Sequence, residues 1–454
     1  MTKLPFTGDI SADKPALLDD ASGDWITYGE LSRQAGHWAS RLEGDRGLVF
    51  LYARNDINSV GAFIGALAAG HAVALFDPNL PEEARAELSE KYRPSWIVGP
   101  DSGALTHPAG TGPLHPDVAV LLSTSGSTGS AKLVRLTRHA VEANAASISN
   151  VLHISDLDVA AGYLPLHYSY GLSVLTSHLI SGARVRLTEL GLTTREFWPA
   201  MRLAEITHLP GVPFHHQIML KLGLSRLKLP KLRVLTQAGG ALDPDLRWQA
   251  YNFMQETGGM FFVMYGQTEA APRMTTLQHE EFHLAPQSCG TPLPGCRIEI
   301  SDPDANGQGE VIFHGPNVML GYAESRSDLG RDDEMGGRLP TGDIGFLDSA
   351  GRLTLTGRVK RAAKLFGLRI NLDEVEMLTN AFGSTAVTQR GESLVVHVAT
   401  TGDTATDEAL KRTILTRLHD RFTIPPSSYE IRFLPSIPRT ERGKTDYAAL
   451  AAQS

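Results

Sequence analysis

Ser123-Thr124-Ser125-Gly126-Ser127-Thr128-Gly129-Ser130-Ala131-Lys132 is the stretch on which the reading of this chain turns. Its two glycines let successive backbone N–H groups turn inward, and the hydroxyls of Ser125, Ser127 and Thr128 add donors. Lys132 closes the run with a full positive charge. The run follows Val118–Leu122, an apolar stretch that reads as a buried strand. A loop of this composition leaving a strand forms an anion cradle suited to a nucleotide triphosphate. A flexible Gly/Ser linker has the same composition. A Walker A loop does not fit, because it requires G-x-x-x-x-G-K-[ST]. Here two residues separate Gly129 from Lys132, and Leu133 follows the lysine. The run alone leaves cradle and linker both open.

The chain has 454 residues, too many for one ordinary core, which predicts two or three domains. With 42% hydrophobic and 20% charged residues it reads as a folded globular protein. A net charge of −8 gives no electrostatic reason to bind nucleic acid or an anionic membrane. Two cysteines, Cys289 and Cys296, form neither a disulfide framework nor a C-x-x-C knuckle, which fits a reducing cytoplasm. The first residues lack the apolar core of a signal peptide. No apolar run approaches the ~18 residues of a membrane span.

Helix and strand signals alternate through the first two-thirds. Strands are predicted at Gly47–Tyr52, His71–Phe76, Trp96–Val98, Val159–Leu164, Ala183–Leu187, Thr207–Leu209, Leu232–Gln237 and Met260–Tyr265. Helices are predicted at Leu31–Leu42, Asn58–Ala69, Pro81–Tyr92, His139–Ile148, Leu172–Ile180 and Thr194–Ala204. This rhythm predicts parallel sheets covered by helices. From Gly290 to Gly357 the chain is rich in Gly, Pro and Asp, with short strands that suggest a small antiparallel barrel or sheet. After Arg358 an α+β pattern returns. A hinge is therefore expected near Lys360, dividing an N-terminal part, 1–357, from a C-terminal domain, 358–454.

Further polar clusters lie at predicted strand ends. Gly239-Gly240-Ala241 follows Leu232–Gln237, and small residues there allow a flat ring to approach the backbone. Tyr265-Gly266-Gln267-Thr268-Glu269 could stack a base and offer an oxygen ligand to Mg²⁺. Thr341-Gly342-Asp343 offers a carboxylate at a tight turn, suited to a ribose diol. Gly357-Arg358 and Gly443-Lys444 each set a cation beside a glycine. Singly, each also reads as an ordinary turn or a solvated charge.

Taken in order, these clusters resemble the adenylate-forming superfamily of acyl-CoA synthetases, non-ribosomal peptide synthetase adenylation domains and luciferases, over nearly the whole chain. The opening run is similar to that family's phosphate loop, and Leu164-Pro165-Leu166-His167-Tyr168-Ser169-Tyr170-Gly171-Leu172 to its acyl-pocket segment. Gln237–Ala241 and Tyr265–Glu269 resemble its adenine and Mg²⁺ segments. Gly315–Tyr322 and Thr341–Asp343 resemble its barrel and ribose segments, and Gly357–Lys360 its hinge. Gly367–Ile370 with Glu374–Glu376 resembles the start of the small domain. Pro438–Lys444 resembles the loop of the catalytic lysine.

The resemblance implies an α/β fold: a large N-terminal domain of two helix-covered sheets plus a small β-barrel, then a mobile α+β C-terminal domain. It implies ATP and Mg²⁺, and two steps: a carboxylic acid becomes an acyl-adenylate with release of pyrophosphate, and a thiol of CoA or of a carrier-protein phosphopantetheine takes the acyl group. Thr124, Ser125, Gly126, Ser127, Thr128, Gly129 and Lys132 would hold the β/γ-phosphates, and Glu269 with Thr128 the Mg²⁺. Gly239, Gly240, Ala241 and Tyr265–Thr268 would flank the adenine, and Asp343 and Arg358 would hold the ribose. Lys444 would bridge the reacting carboxylate and the α-phosphate. Lys360 would be the hinge, and Gly367 would line the thiol tunnel.

His167, Tyr168, Phe214 and His215 are the candidate acid-pocket residues. The pocket segment lacks the Asp that anchors an α-amino group in amino-acid-activating relatives, which favours an acyl or aryl acid. There are departures from the family pattern. Ala131-Lys132-Leu133 replaces Pro-Lys-Gly, His167-Tyr168 reverses the usual aromatic–His order, Lys360-Arg361 lacks an acidic residue, Thr445 follows the lysine, and the N-terminal region is short. Two other outcomes fit the same residues: transfer of the adenylate to an amine or hydroxyl, and a non-catalytic nucleotide-binding protein.

Overall fold

The computed structural model describes residues 5–7, 10–99, 105–106, 108, 110–123, 132–365, 368–390, 393–400, 404–422, 425–440 and 445–452. Contacts divide the chain into two units: 1–298 with 313–339, and 299–312 with 340–454.

The first unit contains two large sheets. In one, seven strands lie in the order Gly321–Ala323, Leu133–Thr137, Val118–Ser123, Ala72–Phe76, Leu48–Tyr52, Trp96–Val98, Leu105–Thr106. The four strands from Val118–Ser123 to Trp96–Val98 run parallel, and Leu133–Thr137 returns antiparallel to Val118–Ser123. Leu48–Tyr52 and Ala72–Phe76 are buried at every position, as their unbroken apolar sequence requires in a sheet covered on both faces. The other sheet has nine strands, and its centre is the parallel set Met260–Gly266, Val234–Gln237, His208–Gly211, Val159–Gly162, Arg184–Leu187.

Helices cover these sheets for local reasons. Helix Tyr28–Arg41 begins with a capping box in which Thr27 and Glu30 bond each other's backbone N–H, and it ends on Arg41. It packs closely on helix Ile57–Ala68, where a Cβ on Gly65 would stand 2.4 Å from the Ala35 carbonyl. Helix Pro244–Thr257 starts at the Asp243 cap and stops at Gly258, whose φ is +73°.

The short strands around residues 297–358 form a four-stranded sheet, in the order Arg297–Ser301, Gly309–His314, Arg338–Leu347, Leu353–Arg358. A hairpin, Ala362–Leu365 with Leu368–Asn371, leads into an α+β fold. There Thr385–Arg390, Ser393–Ala399 and Tyr429–Leu434 make a three-stranded sheet. Val375, Val396, Ile414 and Leu418 share its core with helices Leu372–Thr379 and Thr404–Phe422.

The alternating pattern read from the sequence is present, with helix and strand ends displaced by one to a few residues. Strands Leu133–Thr137 and Arg273–Leu277 and helices Pro213–Leu222 and Pro244–Thr257 are additional. Among the described residues no helix is long and apolar enough to cross a membrane.

Candidate functional site

Four parallel strands of the nine-stranded sheet release their chains at one edge. Val159–Gly162 leads into the His167–Tyr168 segment, His208–Gly211 into Phe214 and His215, Val234–Gln237 into Gly239–Ala241, and Met260–Gly266 into Thr268 and Glu269. Sequence reasoning placed these segments one by one, and the strand order brings them together. The carboxyl edge of such a sheet is where open α/β folds bind ligands.

Close backbone approach explains the glycines there. Gly239 has φ +84°, and a Cβ on it would lie 2.7 Å from the Tyr168 hydroxyl. Gln237 secures this turn by donating from Nε2 to the Gly240 carbonyl at 2.7 Å. Gly266 ends its strand at a register shift, and a Cβ there would meet the Pro272 carbonyl at 2.0 Å. Thr268 and Ser169 share a hydroxyl–hydroxyl bond of 3.1 Å, joining the loop after Gly266 to the start of helix Ser169–Ile180.

The two residues of the reversed pair at 167–168 have different neighbours. Tyr168 faces the Gly239 turn. His167 is buried, with Nε2 3.8 Å from Asp77 Oδ2 at the end of Ala72–Phe76. Phe214 is exposed. His215 Nδ1 lies 3.2 Å from the Tyr163 hydroxyl, and burial lowers its pKa to about 4, so it is neutral at pH 7.

Residues 124–131 lie outside the described residues, but their anchors do not. Ser123 pairs with Leu133 on the adjacent antiparallel strand. Lys132 Nζ sits 4.0 Å from the ring centroid of Tyr322, a cation–π distance. The Tyr322 hydroxyl donates to Glu269 Oε1 at 2.7 Å. Burial and then the Glu269 carboxylate push the Tyr322 phenol above its ordinary range, so it stays a donor. Lys132 and Glu269, 137 residues apart in sequence, thus meet through one tyrosine.

Tyr322 was not among the candidate residues. It stands on Gly321–Ala323, paired with Leu133–Thr137 at the edge of the seven-stranded sheet. The signal was the aromatic that ends the Gly315–Tyr322 segment. Asn317, in the same segment, donates from Nδ2 to the carbonyls of Ala270 and Arg273 at 2.6 and 3.0 Å, fixing the Glu269 loop. Asn55 was also missed. Its buried amide Nδ2 lies 3.2 Å from each of the carbonyls of Gly162, Leu164 and Thr188, and its Oδ1 accepts from Leu166 N–H. It fastens the chain at Gly162–Leu166 to the residues that follow Leu48–Tyr52.

In the second unit, Asp343 and Arg358 are register partners and share a 2.8 Å ion pair, with Asp343 buried and Arg358 exposed. Thr341 Oγ1 donates to the Val311 carbonyl and accepts from Asp343 N–H, which holds the turn. Lys360 lies in the short helical turn Val359–Arg361. Its neighbour Arg361 is tied to Asp373 at 3.0 Å and Glu376 at 2.6 Å, and its guanidinium lies 3.7 Å from the Tyr447 ring centroid. Gly367 and Lys444 lie outside the described residues. Arg439 and Thr445, on the two sides of 441–444, form an isolated antiparallel bridge.

The family model described as AMP-binding enzyme matches residues 8–115 and 100–323. A probable CoA ligase of Humulus lupulus is 32% identical over 57% of this chain and 50% of its own length. An oxalate–CoA ligase of Arabidopsis thaliana is 31% identical over 73% of this chain and 66% of its own. The chain therefore spans about half to two-thirds of the length of these relatives. The solved o-succinylbenzoate CoA synthetase of Bacillus subtilis, in complex with its acyl-adenylate intermediate, shares the fold at a TM-score of 0.77 and 21% identity, over 98% of this chain and 97% of that one. With the family model covering well over half of its residues, the chain belongs to the AMP-binding enzyme family.

Proposed function

We propose that this chain uses ATP to convert a carboxylic acid, acyl or aryl, into an acyl-adenylate, and passes the acyl group to a thiol of CoA or of a carrier-protein phosphopantetheine in the cytoplasm. The observation that carries this reading is the Lys132–Tyr322–Glu269 cluster, whose lysine follows the 124–131 run directly in sequence. It sets a cation for phosphate beside a carboxylate for a metal. The relatives' names, a CoA ligase and an oxalate–CoA ligase, support the same chemistry.

In the first step an acid oxygen bonds to the α-phosphorus, the bond from that phosphorus to the β-phosphate bridging oxygen breaks, and pyrophosphate leaves. Both reactants are anions, so neutralising charge is the main task. Lys132 and the 124–129 loop take the β/γ-phosphates, and Lys444 takes the α-phosphate and the reacting carboxylate. Glu269 with Thr128 is suited to Mg²⁺, which usually binds through one or two carboxylates plus phosphate oxygens and would supply further charge neutralisation. Glu269 fits, because Tyr322 occupies only Oε1. Gly239, Gly240, Ala241 and Tyr265–Thr268 border the adenine, and Asp343 with Arg358 binds the ribose.

In the second step the thiol loses its proton to solvent, its sulfur bonds to the acyl carbon, and AMP leaves. Tyr168 lies by the reacting carboxylate; His167, Phe214 and His215 shape the acid pocket. Hinge motion near Lys360, between 1–357 and 358–454, would exchange Lys444 for the Gly367 tunnel.

Pyrophosphate release across a panel of acids, with and without CoA, tests this reading. Acid-dependent release followed by thioester formation is expected. No release with any acid would overturn it.

A further inference from the structure

Arg273 opens the strand Arg273–Leu277, opposite Gly266 at the end of Met260–Gly266. Its side chain is buried, with 2% of the residue exposed. Among the described residues no carboxylate pairs with it. Its neutral partners are Ser173 Oγ, 3.4 Å from Nη2, and the side chain of Tyr170, whose ring centroid lies 4.7 Å from the guanidinium; its Nε has no partner. A buried guanidinium without a counter-anion is costly, and native proteins rarely keep one. Asn144 and Asn317 bond only its backbone.

The surroundings point to an occupant. Arg273 lines a cavity of about 20 Å³ beneath helix Ser169–Ile180, with Tyr170, Ser173, Thr236, His178 and His208. That is room for one or two waters, the size of a carboxylate head. The Nε2 atom of His178 is also buried there without a partner. Tyr168 and Tyr170, which lie within electrostatic reach of Arg273, belong to the acyl-pocket segment, and Tyr168 faces the Gly239 turn.

We infer that Arg273 selects the acid: it pairs with a second anionic group, carboxylate or sulfonate, at the far end of the substrate. This rests on the acid-activation reading and names its substrate class. The first carboxylate reacts beside Tyr168, and the second replaces the missing counter-charge. An inorganic anion resident in the cavity would satisfy the same guanidinium, but would give no selectivity among acids.

The test uses the full chain and matched acids: succinate against butyrate, and terephthalate against 4-methylbenzoate. Pyrophosphate release and equilibrium binding are both measured. A doubly anionic acid is expected to be favoured by about 10²–10³-fold. Arg273→Met is expected to bring that ratio below about tenfold with MgATP binding unchanged, and a doubly anionic acid should raise Tm in the wild type only. No preference in the wild type, or an unchanged ratio in Arg273→Met, overturns the inference. The wild-type ratio decides even if Arg273→Met does not fold. Release with monocarboxylates alone overturns the inference and leaves acid activation standing. Selective binding of doubly anionic acids with no release of pyrophosphate does the reverse.

Discussion

Tyr322 holds Glu269 with a 2.7 Å bond and carries Lys132 over its ring, so it positions both charges without contributing one. A hydrogen bond to a charged group is worth about 1.5–3 kcal/mol, or roughly ten- to a hundredfold. Tyr322→Phe keeps the ring and loses only the bond to Glu269. Its kcat/KM for MgATP is therefore expected to fall by about ten- to a hundredfold with Tm little changed. Wild-type kinetics in this variant would remove the positioning role. Lys132 and Glu269 were legible in sequence because each ends a run of glycines and hydroxyls after an apolar strand. Tyr322 was not, because its contact with Glu269 is made across 53 residues and two sheets. Asn55 escaped for the same reason: its partners at Gly162, Leu164 and Thr188 lie more than a hundred residues away.

At the scale of elements, the apolar strands Leu48–Tyr52, Ala72–Phe76 and Val118–Ser123 announced themselves by composition. Leu133–Thr137 did not, because Arg135 interrupts it. That arginine is wholly buried, yet its Nη2 bonds the Glu334 carboxylate at 2.8 Å and the Leu320 carbonyl at 3.2 Å. Buried histidines also sit between helices and the nine-stranded sheet. Burial lowers His178 and His216 to about 4, below the roughly 6.5 of an unfolded chain. Around His178 stand His208, Asp158 and Arg233; beside His216 stands His215. With the folded pKa depressed, the unfolded chain binds more protons. This contribution to stability is present above about pH 6.5 and is lost as pH falls through about 4. Calorimetry should show Tm falling across that window. A flat Tm would mean that these histidines titrate normally in the fold.

For the whole molecule, the order of the motifs carried more than any one of them. Ser123–Lys132 alone suited a linker as well as a cradle. Its place at the end of Val118–Ser123, with Lys132 brought to Tyr322 and Glu269, favours the cradle. What composition could not supply was the company each segment keeps, since the strand order of the nine-stranded sheet decides that His167–Tyr168, Gly239–Ala241 and Glu269 share an edge. The second unit holds the Asp343–Arg358 pair and the Arg439–Thr445 bridge. The central claim is that Lys132 holds a leaving pyrophosphate while Lys444 serves the reacting carboxylate. Product analysis of ATP turnover with an accepted acid, in the wild type and in Lys444→Ala, tests it most directly. The account predicts AMP and pyrophosphate, with the rate in Lys444→Ala lower by about 10²–10³-fold. ADP and phosphate as products, or an unimpaired Lys444→Ala, would contradict it.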